Sequence, residues 1–374
     1  MRILKNISLL VLFCVFICGC NNKIKVGSIL PLTGDDYFCG QEIKNGAELA
    51  IKNQENLLNK KLFFVVCNDQ SSKMNSIKYY EKLASDKNIC AIIGGGNSTL
   101  SEEIAAISQK KIILPLIVPS ASLKKITRYG ENVFRIGFLD DVQGKCMAKL
   151  AANDLNKKKV AILYNIDSKY SNAIVKEFIK NFSEDGGKIE LMLGYSQLEN
   201  DFRTLLNKIK ANNLIDAIFI PDYAYNAALI YMQAHDLGID CTFFGTDTWE
   251  EISSQISDAY VLDDIYFCSH HFVYNQNDKA KFFFDEYKKK YSKEPSAFAA
   301  LGFDSASILI ESIKLSNSTE KNDILSTLKD INYNGVTGNI TFNEYGDPDK
   351  ELEIIKINNG KNSFYKLFKS NNIA

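Results

Sequence analysis

The sequence predicts an α/β protein made of two similar lobes, each wound on a largely parallel β-sheet. The chain has 374 residues, which is more than one domain of about 100–200 residues accommodates. Short apolar segments, typical of buried strands, alternate with segments of helical apolar spacing. The chain has only six prolines and no Pro-, Gly- or Ser-rich linker. It is therefore expected to pass back and forth between the lobes instead of joining two tethered domains.

The first half of the chain predicts βαβ units on one parallel sheet. Its strands are nearly continuous apolar runs, as in a sheet that is covered on both faces. The predicted strands are 25–30, 62–66, 90–93 and 112–117. The predicted helices between them are 41–57, 72–86 and 99–109.

The second half repeats this alternation after Arg135. The predicted strands are 160–164, 189–192, 217–220 and 264–268. The predicted helices are 142–154, 170–183, 201–211, 279–291 and 300–314. The segments 340–342 and 352–357 have a hairpin-like pattern. Two α/β lobes follow from this repetition of strands and helices.

The first twenty residues have the pattern of a bacterial export signal. Arg2 and Lys5 precede an apolar run over 7–17, which is too short to span a bilayer comfortably and suits a signal-peptide core. The run ends in Ile-Cys-Gly-Cys, which resembles a lipobox with Cys20 as the lipidated residue. An ordinary cleaved secretory signal is the alternative, and it would also export the protein. We expect removal of residues 1–19 and an acyl anchor on Cys20.

Charge and motifs exclude several classes of function. The 44 basic and 45 acidic residues give a net charge of -1, so no global field favours nucleic acid or an anionic membrane. The chain has no GxSxG elbow, P-loop or HExxH motif. None of the nine cysteines forms CxxC, and the three histidines lack zinc-ligand spacing. We therefore expect a non-enzymatic protein that has no metal and no other cofactor.

Apart from the lipidated Cys20, six cysteines remain in the predicted exported chain, and they suit either buried thiols or one or two disulfides. They are Cys39, Cys67, Cys90, Cys146, Cys241 and Cys268. A bridge between Cys67 and Cys90 is one hypothesis, because each lies at the end of an apolar run.

Small polar residues follow two predicted strands of the first lobe. The glycines at 94–96 lead into a helix, where free N–H groups and the Ser98 hydroxyl favour an anion. Ser120 and Ser122 follow the next strand. Open α/β sheets bind ligands at the carboxyl ends of their strands, so the three serines are expected at one site. The alternatives are helix capping by Ser98 or Thr99, and ordinary turn chemistry for the other two serines.

The second lobe offers an acid and two aromatic residues at strand ends. Tyr170 and Tyr223 can each close a ring with a polar tip over a ligand. Asp247 follows the apolar segment 243–244, where its carboxylate can pair with an ammonium group. The alternatives are packing for the tyrosines and helix capping by Asp247 or Thr248. An anion-binding lobe opposite an acidic, aromatic lobe complements a zwitterion.

With these residues in place, the sequence resembles the leucine/isoleucine/valine-binding type of ABC-transporter solute receptor, which has the type I periplasmic binding protein fold. The resemblance covers residues 24 to about 357 and rests on the order and spacing of short segments. They are 24–34, Gly40 with 46–51, 68–70, 93–94 before Ser98, 119–122, 134–135, and 295–300 before 303–304.

The resemblance implies a role for each candidate residue. The ligand carboxylate is held by Ser98, Ser120 and Ser122, and its ammonium by Asp247. The two tyrosines close over the ligand from the second lobe. Cys39 stands where branched-chain binders have a tyrosine, which leaves the side chain of the ligand open.

The resemblance also implies three crossovers between the lobes, near 136–142, 265–272 and 342–350. The expected organisation is a signal peptide (1–19), a lipidated N-terminus (20–23), one lobe from 24–137 plus 270–343, and a second lobe from 138–269 plus 344–374.

The implied function is that of the extracytoplasmic substrate-binding protein of an ABC importer, held at a bacterial membrane by lipid. Such a protein binds a small α-amino acid, with the branched-chain type as the leading class, by hinge closure. It delivers the amino acid to a membrane permease, and we expect it to be a monomer. The alternative is a receptor of the same fold that senses another small zwitterion or amide and signals instead of transporting. The absence of a signalling domain or a second membrane span from this sequence favours transport.

Overall fold

A computed structural model describes residues 23–110, 113–270 and 278–368, so the predicted export signal and Cys20 lie outside the described residues. The strands are β1 (Lys23–Leu30), β2 (Asn56–Leu57), β3 (Lys60–Asn68), β4 (Ile89–Gly94), β5 (Leu116–Val118), β6 (Val133–Arg135), β7 (Lys159–Asn165), β8 (Lys188–Tyr195), β9 (Ala217–Phe219), β10 (Thr242–Phe244), β11 (Ile265–Ser269), β12 (Tyr333–Gly335), β13 (Gly338–Ile340), β14 (Leu352–Asn358) and β15 (Lys361–Phe368). The α-helices are α1 (Tyr37–Lys52), α2 (Lys73–Ala84), α3 (Ser98–Ser108), α4 (Asp140–Lys149), α5 (Lys169–Glu184), α6 (Arg203–Lys210), α7 (Ala224–Asp236), α8 (Asp278–Tyr291), α9 (Ala297–Ser316) and α10 (Lys321–Asp330).

Two large sheets organise most of these elements, and β12 and β13 form a third, small sheet. The first has the order β2-β3-β1-β4-β5-β6, and all its pairs are parallel except β2 with β3. The second has the order β15-β14-β11-β10-β9-β7-β8, with β14 and β15 as antiparallel additions. We call each large sheet with the helices packed on it a lobe. The predicted α/β class with parallel central sheets is confirmed.

The chain passes three times between the lobes. It leaves the first sheet after β6 and enters α4, which packs on α5 of the second lobe. After β11 it returns to α8, which packs on α1 of the first lobe, and residues 271–277 of this passage lie outside the described ranges. The third passage joins β13 to β14. These repeated passages explain why the sequence needs no flexible linker.

Two glycines let helices α1 and α9 approach closely in the first lobe. A Cβ atom on Gly46 would overlap the backbone oxygen of Ala299, and one on Gly302 would overlap that of Ile43. Backbone contact of this kind leaves no room for a side chain at either position. The close packing of α9 against α1 therefore requires glycine at both positions.

The predicted hairpin between 340–342 and 352–357 is wrong. Ile340 pairs with Tyr333 in the small sheet of β12 and β13. Strand β14 instead lies between β11 and β15 in the second sheet. A local apolar pattern predicts a strand but does not specify its partner, which is decided by the surface available for burial.

Several predicted boundaries also move. The strand expected at 112–117 is the shorter β5, which begins after Pro115. The helix expected at 142–154 begins at Asp140 and ends in a π-helical turn over Leu150–Asp154. The helix expected at 41–57 spans 37–52, and residues 56–57 form β2.

The hypothetical bridge between Cys67 and Cys90 does not form, and all six cysteines of the described residues are free thiols. Cys67 lies on β3 and Cys90 on β4, with β1 between them. Two such strands are about 10 Å apart, whereas a disulfide requires a Cα separation of no more than about 7 Å. The ends of apolar runs were a poor guide because strand order cannot be derived from them.

Candidate functional site

The predicted site residues all follow the carboxyl ends of parallel strands. In the first lobe Cys39 follows β1, Ser98 follows β4, and Ser120 and Ser122 follow β5; in the second lobe Tyr170 follows β7, Tyr223 follows β9 and Asp247 follows β10. In both sheets the strand order reverses here, because β1 lies between β3 and β4 and β7 lies between β8 and β9. Such reversals open the crevice in which α/β sheets bind ligands.

The start of α3 is capped by Asn97, so the alternative of capping by Ser98 or Thr99 is wrong. Asn97 Oδ1 accepts a hydrogen bond from the Leu100 N–H at 2.7 Å, and its Nδ2 donates to Asp36 Oδ2 at 2.7 Å. Gly95 turns the chain into the helix at φ +84. Because Asn97 does the capping, the buried Ser98 hydroxyl is not needed as the cap of α3.

Ser120 and Cys39 meet at the carbonyl oxygen of Gly96. Ser120 Oγ donates to this oxygen at 3.2 Å and Cys39 Sγ at 3.0 Å, with Sγ and Oγ 3.6 Å apart. Burial raises the pKa of Cys39 well above its usual value, so the thiol stays protonated. Ser122 lies at the first passage, where its carbonyl accepts the N–H of Asp140 at 3.1 Å. The Ser120 hydroxyl and the Cys39 thiol thus lie just before the start of α3, whereas Ser122 lies next to Asp140 at the first passage.

In the second lobe the structure joins Asp247, Tyr170 and Tyr223. The hydroxyl of Tyr170 donates to Asp247 Oδ1 at 2.5 Å, and the two tyrosine rings stack with centroids 5.3 Å apart. A 3₁₀ helix, Asp247–Gln255, begins at Asp247 with Thr246 at its cap position and no side-chain capping bond. The alternative of capping by Asp247 or Thr248 is therefore wrong. The carboxylate of Asp247 instead accepts the hydrogen bond from Tyr170.

Sequence reasoning missed His270. Its Nε2 atom lies 2.9 Å from Asp247 Oδ2, and the backbone N–H of Asp247 donates to Gln143 Oε1 at 3.2 Å. His270 directly follows β11, so the rule that found Asp247 also applied to it. It was passed over because histidine was considered only as a zinc ligand.

Several acidic side chains lie near these two clusters, and their partial or full burial favours the protonated, neutral form. Burial raises the pKa of Asp36 to about 6, that of Asp140 to about 7 and that of Glu251 to about 8. The charges of Asp36, Asp140 and Asp247 all act on the Tyr223 hydroxyl. Asp247 of the second lobe also acts on Cys39 of the first lobe, so the two clusters lie within electrostatic reach of each other.

The arrangement can bind a molecule that carries both charges. Hydroxyls and helix N–H groups of the first lobe suit a carboxylate, and Asp247 of the second lobe suits an ammonium group. Within 23–110, 113–270 and 278–368, no cluster of three or more His, Cys, Asp or Glu side chains is placed to hold a metal ion. In the same ranges, none of the helices combines the length and apolar character of a membrane span.

Comparison with known proteins agrees with this fold. The family model described as "Periplasmic binding protein" matches residues 23–362. The leucine-, isoleucine-, valine-, threonine- and alanine-binding protein of Pseudomonas aeruginosa is 24% identical over 332 residues, which cover 87% of each chain. The crystal structure of the leucine-binding protein LivK of Thermotoga maritima has a TM-score of 0.86 and 28% identity, and covers 93% of this chain and 99% of LivK.

LivJ of Streptococcus pneumoniae, a branched-chain amino acid transporter substrate-binding protein solved in complex with isoleucine, gives similar values. Its TM-score is 0.87 at 28% identity, over 93% of this chain and 99% of LivJ. The family model thus matches nearly the whole described chain, and the two crystal structures have the same fold. The chain belongs to the periplasmic binding protein family and is similar to its branched-chain amino acid ABC substrate-binding proteins.

Proposed function

We propose that the protein binds a small α-amino acid, of the branched-chain type, in the cleft between its lobes and delivers it to the permease of an ABC importer. The ligand carboxylate rests on Ser98, Ser120 and Ser122, and the α-ammonium group on Asp247. Tyr170 and Tyr223 close over the ligand when the second lobe swings in about the hinge.

The observation that carries this proposal is the environment of Asp247. Its side chain is 4% exposed, and a buried carboxylate is costly unless a positive charge compensates it. Burial raises the pKa of Tyr170 well above its usual value, so its phenol is a neutral donor. A ligand ammonium group supplies the missing charge, and the hydroxyl groups of the opposite lobe supply partners for the carboxylate.

The relatives support the side-chain class. The protein from Pseudomonas aeruginosa is named as binding leucine, isoleucine, valine, threonine and alanine, and the one from Streptococcus pneumoniae was solved in complex with isoleucine. Cys39, packed against Ser120, lies beside the hydroxyl cluster, and its small side chain leaves space for the side chain of the ligand.

The cellular setting belongs to the same proposal. Residues 1–19 are removed as a signal peptide, and lipid on Cys20 within the segment 20–23 holds the protein at the outer face of a bacterial membrane. One lobe comprises 24–137 plus 270–343 and the other 138–269 plus 344–374, and the receptor acts as a monomer. Mass spectrometry of the purified protein tests the anchor: a diacylglycerol mass on an N-terminal Cys20 supports it, and an unmodified N-terminus overturns it.

Thermal unfolding of ligand-free protein against the twenty amino acids tests the proposed function. A ligand at a hundredfold excess over its Kd adds about 2.7 kcal/mol. Each kcal/mol raises Tm by about 2–4 °C for lobes of this size. We expect shifts of about 5–10 °C with leucine, isoleucine or valine. No shift with any α-amino acid would overturn the proposal.

A further inference from the structure

The imidazole of His270, directly after β11, contacts the carboxylate of Asp247. We propose that His270 is a positioning residue: a neutral ring that orients Asp247 by one hydrogen bond while leaving its negative charge for the amino group of the ligand. This inference rests on the proposed function, because it assigns to His270 a share in binding the α-ammonium group.

Each oxygen of Asp247 lies within hydrogen-bond distance of a buried side chain. Oδ1 accepts from the Tyr170 hydroxyl at 2.5 Å, and Oδ2 lies 2.9 Å from His270 Nε2. The exposed fractions of Tyr170, Asp247 and His270 are 4%, 5% and 2%. The carboxylate is therefore held at both oxygens, and its orientation depends on both donors.

The position of the imidazole proton follows from its two nitrogens. Nδ1 of His270 is buried and has no hydrogen-bond partner among the residues that the structure describes. A proton on Nδ1 would have no acceptor there, whereas a proton on Nε2 points to Asp247. A neutral ring protonated at Nε2 satisfies this geometry.

Burial and the charge of Lys350 favour the neutral ring. Burial lowers the pKa of His270, the hydrogen bond and charge of Asp247 act in the opposite direction, and the charge of Lys350 lowers the pKa further. A protonated imidazole would cancel the charge of Asp247 and compete with the ligand ammonium group. Two neutral donors, His270 and Tyr170, orient the carboxylate without neutralising it.

The ring is fixed by two of the three passages between the lobes. His270 begins the second passage, and Phe138 of the first passage stacks on it with ring centroids 3.7 Å apart and an interplanar angle of 23°. A Cβ atom on Gly137 would lie 2.9 Å from His270 Cε1, so the chain makes room for the ring. A change in the conformation of these two passages would therefore move the ring and, through it, the carboxylate of Asp247.

Calorimetric titration of the full mature chain with leucine, isoleucine and valine tests this role. The variants are His270→Gln, whose Nε2 amide replaces the imidazole donor, and His270→Met, which has no donor. His235→Met is the matched control, since His235 is an exposed histidine of α7. We expect His270→Met to raise Kd about 10-fold or more, as loss of a hydrogen bond to a charged group does. His270→Gln and His235→Met should stay within about threefold of wild type.

Two further results separate positioning from a merely structural role. In an Asp247→Asn background, His270→Met should add less than about twofold to Kd, because the charge that it orients is gone. In protein labelled with ¹⁵N-histidine, His270 should appear at pH 7 as the neutral Nε2–H tautomer, and His270→Gln assigns its signals among only three histidines. The tautomer is read from the wild-type protein without ligand, and the His270→Gln variant serves only to assign the signals.

The outcomes are distinguishable. If wild type binds an amino acid and His270→Met binds it within twofold of wild type, this inference is overturned and the proposed function stands. A charged imidazole, or a proton on Nδ1, at pH 7 also overturns it. If wild type binds none of the amino acids, the proposed function fails and this role fails with it.

Discussion

Lys169 of α5 donates to Glu102 of α3, with 2.7 Å between Nζ and Oε2, and this ion pair joins the second lobe to the first across the cleft. Glu102 also accepts from Lys125 at 2.9 Å and from the Tyr129 hydroxyl at 3.0 Å, both within the first lobe. Burial raises the pKa of Glu102, but the hydrogen bonds from Lys169, Lys125 and Tyr129 outweigh it and lower the pKa to about 2. The carboxylate is thus ionised when the lobes meet.

Removal of this pair should weaken ligand binding modestly. Lys169 is 60% exposed, and exposed ion pairs contribute about 0.2–1 kcal/mol. We therefore expect Lys169→Met to raise Kd by roughly 1.5–5-fold at low salt and by less at 0.5 M salt. Lys125→Met is the matched control, since it bonds the same carboxylate within one lobe. Equal Kd values for the two variants, measured by calorimetry, would show that the interlobe pair does not stabilise closure.

Asp247→Asn should reduce affinity far more than it reduces stability. The variant keeps the shape of the side chain but removes the charge that the ligand ammonium group pairs with. Loss of a buried, hydrogen-bonded charge pair costs about 2–5 kcal/mol, so we expect Kd to rise by about 30-fold or more. The measurement is calorimetric titration beside a Tm of the ligand-free protein. An affinity within twofold of wild type would contradict a role for Asp247 in binding.

Asn97 and Ser98 should separate stability from affinity. Asn97→Ala removes the cap of α3 and should cost about 1 kcal/mol of stability. Ser98→Ala leaves that cap in place and removes a hydroxyl from the cleft, so it should cost about 1–3 kcal/mol of binding. Tm and Kd of both variants provide the comparison. A Ser98→Ala variant with lower Tm and unchanged Kd would make Ser98 a structural residue.

Asp140→Asn should stabilise the ligand-free protein increasingly as the pH rises. Burial raises the pKa of Asp140 from 3.8 to about 7, so between these values the folded protein holds a proton that the unfolded chain has lost. The contribution of Asp140 to stability therefore falls as pH rises through this window. Each pKa unit corresponds to about 1.4 kcal/mol, and we expect a gain of roughly 2–4 kcal/mol for the variant at pH 8 and little gain at pH 4.

Tm measurements from pH 4 to pH 8 test this dependence. Asp141→Asn is the matched control, because Asp141 pairs with Lys124 at the surface. A gain for Asp140→Asn that does not change with pH would mean that Asp140 is ionised at a normal pKa.

The sequence was sufficient to predict which residues lie at the end of a strand, because that position depends on one strand only. Tyr170, Tyr223 and Asp247 were predicted because each follows an apolar run, and parallel sheets gather such positions at one edge. Their mutual contacts, such as the stacking of the two tyrosines, depend on the lateral order of strands and were not predicted.

The remaining differences have the same cause. The pairing of β14 with β11 and the separation of Cys67 from Cys90 are set by strand order, which local patterns do not encode. Ser98 and Thr99 were considered as caps of α3 but Asn97 was not, and residue type alone could not decide between them because all three types can cap a helix. His270 acquires its role only through contacts with Asp247 and with Phe138, both distant from it in sequence.

The most direct measurement is a calorimetric comparison of leucine, isoleucine or valine with the same molecule lacking its α-amino group, in wild type and in Asp247→Asn. If Asp247 receives the ammonium group of a zwitterion, the deaminated acid should bind wild type at least 30-fold more weakly than the amino acid, a difference within the range for a buried charge pair. The preference should shrink to a few-fold in Asp247→Asn. Equal affinity of wild type for both molecules would contradict the zwitterion site on which the proposed function depends.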